Sequence, residues 1–501
     1  MTSSQRIIVN TAAQYTRTII NVCLSLYSTR LILAALGQTD YGIFSVVAGV
    51  VAMLSFMTNA LVTTTQRYLS FYHGKGEKEK IRQVFANSLL LHILIGGAVL
   101  VVLAGLAYPI IYSLLKIEAG REMAAMTVYI ATVLMLSLTF LTAPFRALFV
   151  ARENIVYISV IDVLDGALRL IIAIFLTYIV SYDKLITYSF LLIGISIFNL
   201  LAFAIYSLTH YEECHIPSVK EWNTDCIKEL SSFAGWSIYG TGCIVIRNQG
   251  IAVLLNIFFG TIANAAYGLA QQVSGAVAFI STSILNAINP QIMKNEGAGD
   301  RQRMLTLAGY GSKYALLLLS LVSIPIIFEM DSILQLWLVD VPQYAVSFCR
   351  IMLIAAICDQ ITIGLTSANQ ATGNIKLYTI VFYTYKLLTL IAIGICMACG
   401  VNPATSLWCF VIVEFTGSFV RVVLLKYQIH ISFSFFIKET LLRSILPILS
   451  MILASYACMH YVHAPYRFLY TICSSILVGC IMIWYTSLED KEKQYINNLL
   501  K

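Results

Sequence analysis

The sequence predicts an all-α integral membrane protein with about 14 transmembrane helices, on the evidence of its composition, its apolar runs and its short loops. Of the 501 residues, 59% are hydrophobic and 11% are charged, whereas a soluble domain has about 45–50% apolar and about 25% charged residues. The mean hydropathy is +0.82. So few charges cannot cover a water-facing surface, which argues against a soluble enzyme, a secreted disulfide scaffold, a disordered protein and a nucleic-acid-binding protein.

Fourteen apolar segments follow one another along the chain, and each is long enough to cross a bilayer. About 30 Å of hydrocarbon requires roughly 20 helical residues. The loops between the segments are too short to hold an independent catalytic domain. The segments, numbered 1 to 14 in chain order, are 7–36, 41–70, 83–112, 122–150, 155–181, 185–209, 226–258, 262–290, 303–328, 343–370, 375–398, 403–427, 438–460 and 466–487.

The loop charges predict that both termini are cytoplasmic. With the N-terminus inside, most Lys and Arg residues of the loops fall on the cytoplasmic side, as the positive-inside rule requires. The exceptions are Lys116, Arg121, Lys184, Arg350 and Arg467. Segment 1 is too long and too rich in Asn, Gln and Arg for the core of a cleaved signal peptide.

Short motifs recur about 220 residues apart, which indicates an internal repeat. Because each G-x-G motif follows a membrane helix rather than a strand, it indicates a tight turn and not a phosphate-binding loop. The recurring pairs are Gly74-Lys75-Gly76-Glu77-Lys78 with Gly297-Ala298-Gly299-Asp300-Arg301, Tyr41-Gly42 with Tyr267-Gly268, and Ala151, Asn154 and Ile155 with Ala371, Asn374 and Ile375.

The repeat predicts two six-helix lobes. An even number of helices gives both lobes the same orientation, so a pseudo-twofold axis along the membrane normal would relate them. Segments 13 and 14 are an addition. The predicted domains are an N-lobe at 1–209, a cytoplasmic linker at 210–225, a C-lobe at 226–427, the additional helices at 438–487 and a cytoplasmic tail at 488–501.

Polar side chains form single stripes on about eight of the segments, four from each lobe. Ionisable and polar groups are costly in hydrocarbon and usually face a cavity. The stripes therefore predict a polar, water-filled cleft between two bundles. The polar residues expected to line it are Asn10, Gln14, Asn21, Asn59, Gln66, Asn248, Gln271 and Asn286.

Basic residues on these stripes predict a cationic site for an anionic substrate, because guanidinium groups match phosphate and carboxylate. Arg17, Arg67 and Arg247 have no carboxylate partner on their own helix and are the stronger candidates. Arg169 and Lys386 complete the expected substrate-binding set. Arg146, close to the end of segment 4, is interpreted as an interfacial anchor.

Four intramembrane carboxylates are candidates for coupling to an ion or a proton: Asp162, Asp165, Asp359 and Glu414. A structural alternative is open for two of them. Asp165 and Arg169, at i and i+4, could neutralise each other, and Glu414 could pair less directly with Arg421 two turns away. Asp359 has no nearby basic residue in the sequence and is a candidate for taking up a proton during transport. The pattern suggests no metal site, no cofactor and no catalytic residue.

This pattern resembles the polysaccharide flippases of the multidrug/oligosaccharidyl-lipid/polysaccharide (MOP) exporter superfamily. The likeness rests on helices arranged as six, six and two, on the G-x-G-acid-base loops after segments 2 and 8, and on the polar segments 1 and 7. It covers nearly the whole chain and is greatest for bacterial O-antigen and capsule repeat-unit flippases. The resemblance implies a MATE-like fold, a bacterial plasma membrane location and alternating access.

The resemblance also implies a cargo, which is a polyprenyl-diphosphate-linked oligosaccharide moved from the cytoplasmic to the outer leaflet for surface polysaccharide synthesis. By position, Arg17, Arg67 and Arg247 match the cationic residues that line the cavity in such families. Segments 13 and 14 match helices that form a groove for the lipid tail. Beyond the cargo and the bilayer, other polysaccharide-assembly membrane proteins are candidate partners, and nucleic acid is not.

Two alternatives remain open. An ion-coupled multidrug antiporter of the same superfamily usually has twelve helices and an acidic cavity. A polytopic polysaccharide polymerase or ligase needs a sizeable outer loop with catalytic residues. The longest predicted outer loop, 329–342, has Glu329, Asp331 and Asp340 but no evident basic partner. The sequence therefore favours a transporter over an enzyme.

Overall fold

The computed structural model describes residues 3–52, 54–114, 117, 120–180, 182–215, 217–218, 221–338, 341–429, 437–464, 466–489 and 492–493, and almost all of them are helical. The helices are α1 Ser3–Ala52, α2 Ser55–Lys75, α3 Lys78–Gly105, α4 Ala107–Pro109, α5 Glu122–Ala151, α6 Ile155–Tyr178, α7 Lys184–His210, α8 Thr224–Gly297, α9 Arg301–Phe328, α10 Met330–Trp337, α11 Ala345–Gln360, α12 Ile363–Thr372, α13 Lys376–Ala398, α14 Pro403–Ile429, α15 Arg443–Tyr461 and α16 Arg467–Met482. Short π-helical turns at Ile110–Leu114, Ile437–Leu442 and Ile483–Ser487 adjoin α4, α15 and α16.

Every predicted apolar segment overlaps helix. Among the described residues, 11 helices are long and apolar enough to cross a membrane, or up to 12 if the bent pair α11 and α12 is one span. The helix α6 carries Asp162, Asp165 and Arg169, which lowers its apolar character. Segment 2 is divided between the end of α1 and α2. The prediction of an all-α membrane protein is therefore confirmed.

Two glycines break long helices in the same way. Gly37 interrupts α1 at φ 79° and ψ 174°, and Gly260 interrupts α8 at φ 79° and ψ −172°. Only glycine adopts this conformation readily, because a Cβ atom would clash with the backbone. The two positions have the same sequence separation as Gly74 and Gly297. Identical breaks at equivalent positions support the internal repeat.

Contacts divide the chain into two compact units. Unit 1 comprises Met1–Ile238 and Lys294–Gly299. In it α5 packs against α2, α3 and α7, and α1 packs against α6. Its largest described core surrounds the fully buried rings of Tyr129 and Phe140.

A close helix crossing lies within unit 1. A Cβ atom at Gly74 would overlap the carbonyl oxygen of Lys294, and one at Gly297 would overlap the carbonyl oxygen of Phe71. The two contacts are reciprocal, so the last turns of α2 and α8 touch through backbone alone. The Nζ atom of Lys294 also pairs with the carboxylate of Glu153. Glycine is required at both positions, as it is where membrane helices approach closely.

Unit 2 comprises Tyr239–Met293 and Asp300–Lys501. In it α9 packs against α11, α12, α15 and α16, and α14 packs against α11 and α13. The hairpin of α15 and α16 buries small side chains and so lies close to its neighbours. These buried residues are Ser444, Ser455, Thr471, Ser475 and Gly479.

Charged groups join the hairpin and the segment that follows it to the middle and to the C-terminal end of α9. In the middle of α9, Lys313 is completely buried and donates to the carbonyl oxygen of Ser487 at 3.1 Å, with the carboxylate of Glu492 at 3.5 Å. Directly after the last residue of α9, buried Glu329 accepts hydrogen bonds from Arg467 and Thr471. Segments 13 and 14 are therefore integral to unit 2.

Candidate functional site: two ion-pair networks

The first network lies in unit 1 and joins three helices. Arg17 of α1 places Nη1 2.6 Å from Oδ2 of Asp162 on α6. Arg146 of α5 binds the same carboxylate with both terminal nitrogens, Nη1 to Oδ1 at 2.8 Å and Nη2 to Oδ2 at 3.0 Å. Two guanidinium groups thus share one carboxylate, which leaves one positive charge in excess. Arg146, interpreted from the sequence as an interfacial anchor, is half-buried and pairs with Asp162.

A second pair adjoins this network on α6. Arg169 Nε donates to Oδ2 of Asp165 at 2.7 Å, as the i, i+4 alternative predicted. Asn199 of α7 donates to the other oxygen of Asp165 at 2.7 Å. Both oxygens of Asp165 are therefore occupied, and this pair carries no net charge.

A cavity of about 540 Å³ opens beside these groups within unit 1. At about 30 Å³ per molecule it has room for more than a dozen waters. All but one of its lining residues carry polar side chains. The lining residues are Arg17, Thr18, Asn21, Val22, Ser25, Asp162 and Asp165.

Arg67 lies in a different environment. Its side chain is buried, and its guanidinium carbon lies 4.3 Å from the ring centroid of Tyr68 and 4.7 Å from that of Phe71. Glu229 and Glu296 interact with it electrostatically. Arg67 is not among the residues that line the 540 Å³ cavity. Cation–π contact and nearby carboxylates are sufficient to stabilise this guanidinium.

The second network lies in unit 2 and forms an alternating chain of bases and acids. Arg247 Nη1 is 2.6 Å from Oε1 of Glu414. Lys386 Nζ lies 2.8 Å from Oε2 of Glu414, an ion-pair contact without hydrogen-bond alignment, and 2.9 Å from Oδ1 of Asp359. Arg421 Nη2 is 3.0 Å from the same Asp359 oxygen. Three bases thus face two carboxylates, and one positive charge is again in excess.

The pairs in this network cross between helices. Asp359 has no basic partner near it in the sequence, and in the structure it binds Lys386 and Arg421. The alternative pairing of Glu414 with Arg421 is not observed, because Glu414 pairs with Arg247 and Lys386. Helical periodicity identifies only partners on the same helix, whereas these pairs join α8, α11, α13 and α14.

Arg421 has a further role at the break between α11 and α12, which are bent by 46°. It donates to the carbonyl oxygen of Asp359 at 3.2 Å and to the hydroxyl of Thr362 at 2.7 Å. Its Nε also donates to the hydroxyl of Tyr378 at 3.0 Å. A broken helix frees backbone carbonyls that hydrocarbon cannot satisfy. Arg421 satisfies one of them, and the sequence had named it only as a partner of Glu414.

The polar residues that were predicted to line the cleft lie in several different environments. Asn21 lines the 540 Å³ cavity. Asn10 is buried and donates to the carbonyl oxygen of Glu153 at 2.9 Å. Gln271 donates to the hydroxyl of Tyr267 at 2.7 Å, and Asn248 accepts from Arg247 at 3.2 Å.

The other predicted lining residues differ mainly in burial. Gln14 is buried, Gln66 is half-buried, and Asn59 and Asn286 are exposed. Sequence periodicity placed all eight residues on stripes, but it could not separate the buried members from those that meet a cavity.

Two of the acids in the predicted outer loop have basic partners, contrary to expectation. Arg467 donates to both oxygens of Glu329, at 2.9 and 3.1 Å. Arg350 donates to Asp331 at 2.7 Å. Burial raises the pKa of Glu329, but the hydrogen bonds from Arg467 and Thr471 outweigh it and hold that pKa below its usual range. Asp340 lies outside the described residues.

The polar stripes predicted from the sequence did not include two buried ionisable residues. Lys313 lies on α9 and His92 on α3, and the sequence placed almost no polar groups in these helices. His92 is 1% exposed, with Nδ1 2.7 Å from the carbonyl oxygen of Ser88. A single ionisable residue forms no stripe, so periodicity gave no signal for either.

Comparison with solved structures identifies the fold. MATE in its bent conformation matches with a TM-score of 0.75 and 11% identity, over 88% of this chain and 97% of the other. An outward-facing multidrug resistance MATE family transporter of the MOP superfamily matches with a TM-score of 0.71 and 11% identity, over 86% and 96%. The chain therefore has the MATE fold of membrane transporters.

A third solved structure also matches. It is a MOP superfamily transporter from Pyrococcus furiosus Vc1 (DSM3638), and the reverse polarity of its own binding pocket suggests a different function for that transporter. Its TM-score is 0.73 at 12% identity, over 86% of this chain and 96% of that one.

Sequence comparison adds one curated relative. The uncharacterized membrane protein EpsK of Bacillus subtilis (strain 168) is 24% identical over 318 residues, which are 62% of this chain and 61% of EpsK. The aligned region therefore spans less than two thirds of that relative. No protein-family model matches the chain.

Proposed function

We propose that this protein is a flippase that moves a polyprenyl-diphosphate-linked oligosaccharide from the cytoplasmic to the outer leaflet of the bacterial plasma membrane by alternating access. The observation that carries the proposal is an excess of one positive charge in each network, the half-buried one in unit 1 and the largely buried one in unit 2, on a fold used by transporters. A diphosphate is the anionic part of the proposed cargo, and guanidinium groups bind it through paired hydrogen bonds.

The order of charges within each network indicates which arginines bind the cargo. Arg17 can leave Asp162 because Arg146 still neutralises that carboxylate. Arg247 can leave Glu414 because Lys386 still neutralises it. A buried carboxylate without any partner would cost several kcal/mol. Arg17 and Arg247 are therefore the two bases that can turn to a phosphate without leaving a bare charge behind.

The same pairing disfavours the two alternatives. A cationic drug needs an available carboxylate, but Asp162, Asp165, Asp359 and Glu414 are each held by a basic side chain. A polymerase or ligase needs a reactive outer-loop acid, and Glu329 is held by Arg467.

Complementation of a host that lacks the gene tests the proposal. We expect Arg17→Ala and Arg247→Ala to reduce surface polysaccharide at least tenfold and to increase the lipid-linked precursor on the cytoplasmic side. Arg303→Ala is the matched control, because Arg303 is exposed on the surface of α9. Normal polysaccharide and precursor levels in both Arg17→Ala and Arg247→Ala, at normal expression, would reject the cationic site.

A further inference from the structure

A second cavity lies in unit 2, where α10 meets the turn between α15 and α16. Its volume is about 550 Å³. The side chains that bear on its chemistry are Ser332 and Gln335 from α10, and His463, Tyr466, Arg467 and Phe468 from the turn and the start of α16. With the predicted topology, this end of unit 2 is extracytoplasmic.

The floor of this cavity is rigid. Arg467 is held by both oxygens of Glu329, which is 1% exposed. Thr471 donates to the same carboxylate at 2.9 Å, and Ser332 donates to it at 3.2 Å. Four hydrogen bonds to one buried carboxylate fix the plane of the guanidinium group. Because Glu329 neutralises Arg467, this pair at the cavity carries no net charge.

The walls combine aromatic faces with planar polar groups. Tyr466 is 69% exposed and has a left-handed backbone, with φ at 60°. This conformation is uncommon for a non-glycine residue and occurs here at the residue that precedes α16. Gln335 and His463 are also exposed and offer an amide and an imidazole. Aromatic faces accept the C–H face of a sugar ring, and planar polar groups bind its hydroxyls.

We propose that this cavity binds an uncharged saccharide on the extracytoplasmic face and holds the sugar portion of the cargo after translocation. The proposal rests on the proposed function for the identity of the cargo and on the predicted topology for the side of the membrane. The neutral charge of the Glu329–Arg467 pair distinguishes this cavity from the two cationic networks, which suit a diphosphate. The diphosphate and the sugar portion of the cargo are thus recognised by different chemistry at different sites.

The test measures saccharide binding without the lipid. The full chain in nanodiscs is titrated by saturation-transfer NMR with a panel of lipid-free tetrasaccharides of neutral hexoses and N-acetylhexosamines. We expect at least one of them to bind, Tyr466→Ala to weaken this binding at least fivefold, and Gln335→Ala to weaken it about threefold.

Tyr470→Ala is the matched control. Tyr470 is 56% exposed on the same helix but does not line the cavity, so it reports what a membrane-interface tyrosine contributes. Binding in this variant should stay within twofold of the parent. If Tyr466→Ala does not fold, Gln335→Ala decides the outcome.

Three results would overturn the proposal. The first is that no tetrasaccharide binds, and the second is that both cavity variants bind as well as the parent. The third is inorganic diphosphate binding that is lost in Tyr466→Ala, since the cavity would then select anions. Arg17→Ala should keep saccharide binding while it loses transport. Failure of the saccharide site is therefore distinguishable from failure of the proposed transport function.

Discussion

Replacement of Glu414 by glutamine gives the sharpest test of the network in unit 2. Glu414 is 4% exposed and sits between Arg247 and Lys386. Its removal leaves Arg247 without a carboxylate, although Lys386 keeps Asp359. The buried excess then rises from one positive charge to two. Loss of one partner from a buried ion pair costs about 3–5 kcal/mol, so we expect Glu414→Gln to lower the free energy of unfolding by about that amount.

Arg247→Gln should be far milder, because Glu414 keeps Lys386 and no charge is left bare. We expect a loss of about 1–2 kcal/mol from this variant. The double variant Glu414→Gln with Arg247→Gln should then be more stable than Glu414→Gln alone. The coupling energy expected from this double-mutant cycle is about 2–3 kcal/mol, which is larger than the loss from Arg247→Gln alone.

Thermal and denaturant unfolding of the detergent-solubilised protein measure these differences. The matched control is Glu79→Gln, because Glu79 is exposed at the start of α3. This variant should change the free energy of unfolding by less than about 0.5 kcal/mol. The reasoning fails if Glu414→Gln is as stable as the control, or if the double variant loses the sum of the two single effects.

Three further predictions concern groups outside the networks. Gly297→Ala should destabilise the protein by at least about 2 kcal/mol, because its Cβ atom would overlap the backbone of Phe71; the control Gly194→Ala, on an open helix face, should be neutral or stabilising. Burial raises the pKa of Glu213, but the adjacent imidazole of His73 and the hydrogen bonds from Arg152 outweigh burial and lower this pKa to about 2. The ionised form therefore stabilises the fold above about pH 4.5, and up to about 3 kcal/mol should be lost as the pH falls toward 2. Lys313→Met should expose the chain near Ser487 to limited proteolysis, because the hydrogen bond between them is lost.

Each of these predictions has a clear negative outcome. Equal melting temperatures for the two glycine variants would show that the α2–α8 crossing is not tight. A Glu213→Gln variant that retains the parent's loss of stability between pH 4.5 and 2 would assign that loss to other groups. Unchanged proteolysis in Lys313→Met would show that the ammonium group does not hold the hairpin.

Apolar periodicity was sufficient to predict the helices, because hydrocarbon requires long apolar runs wherever the chain crosses it. It did not predict that segment 2 would be divided, or that Gly37 and Gly260 would break α1 and α8. A glycine in a helical run is compatible with either a continuous or a broken helix, and only tertiary packing decides between them.

The candidate site was predicted as a set of residue types rather than as contacts. Arg17, Arg247 and Lys386 were identified as important because buried charges are rare in membranes. Their partners were not identified, because the periodicity of one helix carries no information about a carboxylate on another helix. The positive excess of each network depends on Arg146 and Arg421, which the sequence had assigned to lesser roles.

The two charged groups along α9 have a consequence for engineering. Lys313, in the middle of α9, and Glu329, directly after its end, both find their partners in the chain that follows α14. Truncation after α14 would leave a buried ammonium group and a buried carboxylate without these partners, which is costly. A shorter, twelve-helix transporter would therefore be recovered only if both residues were first replaced by apolar ones.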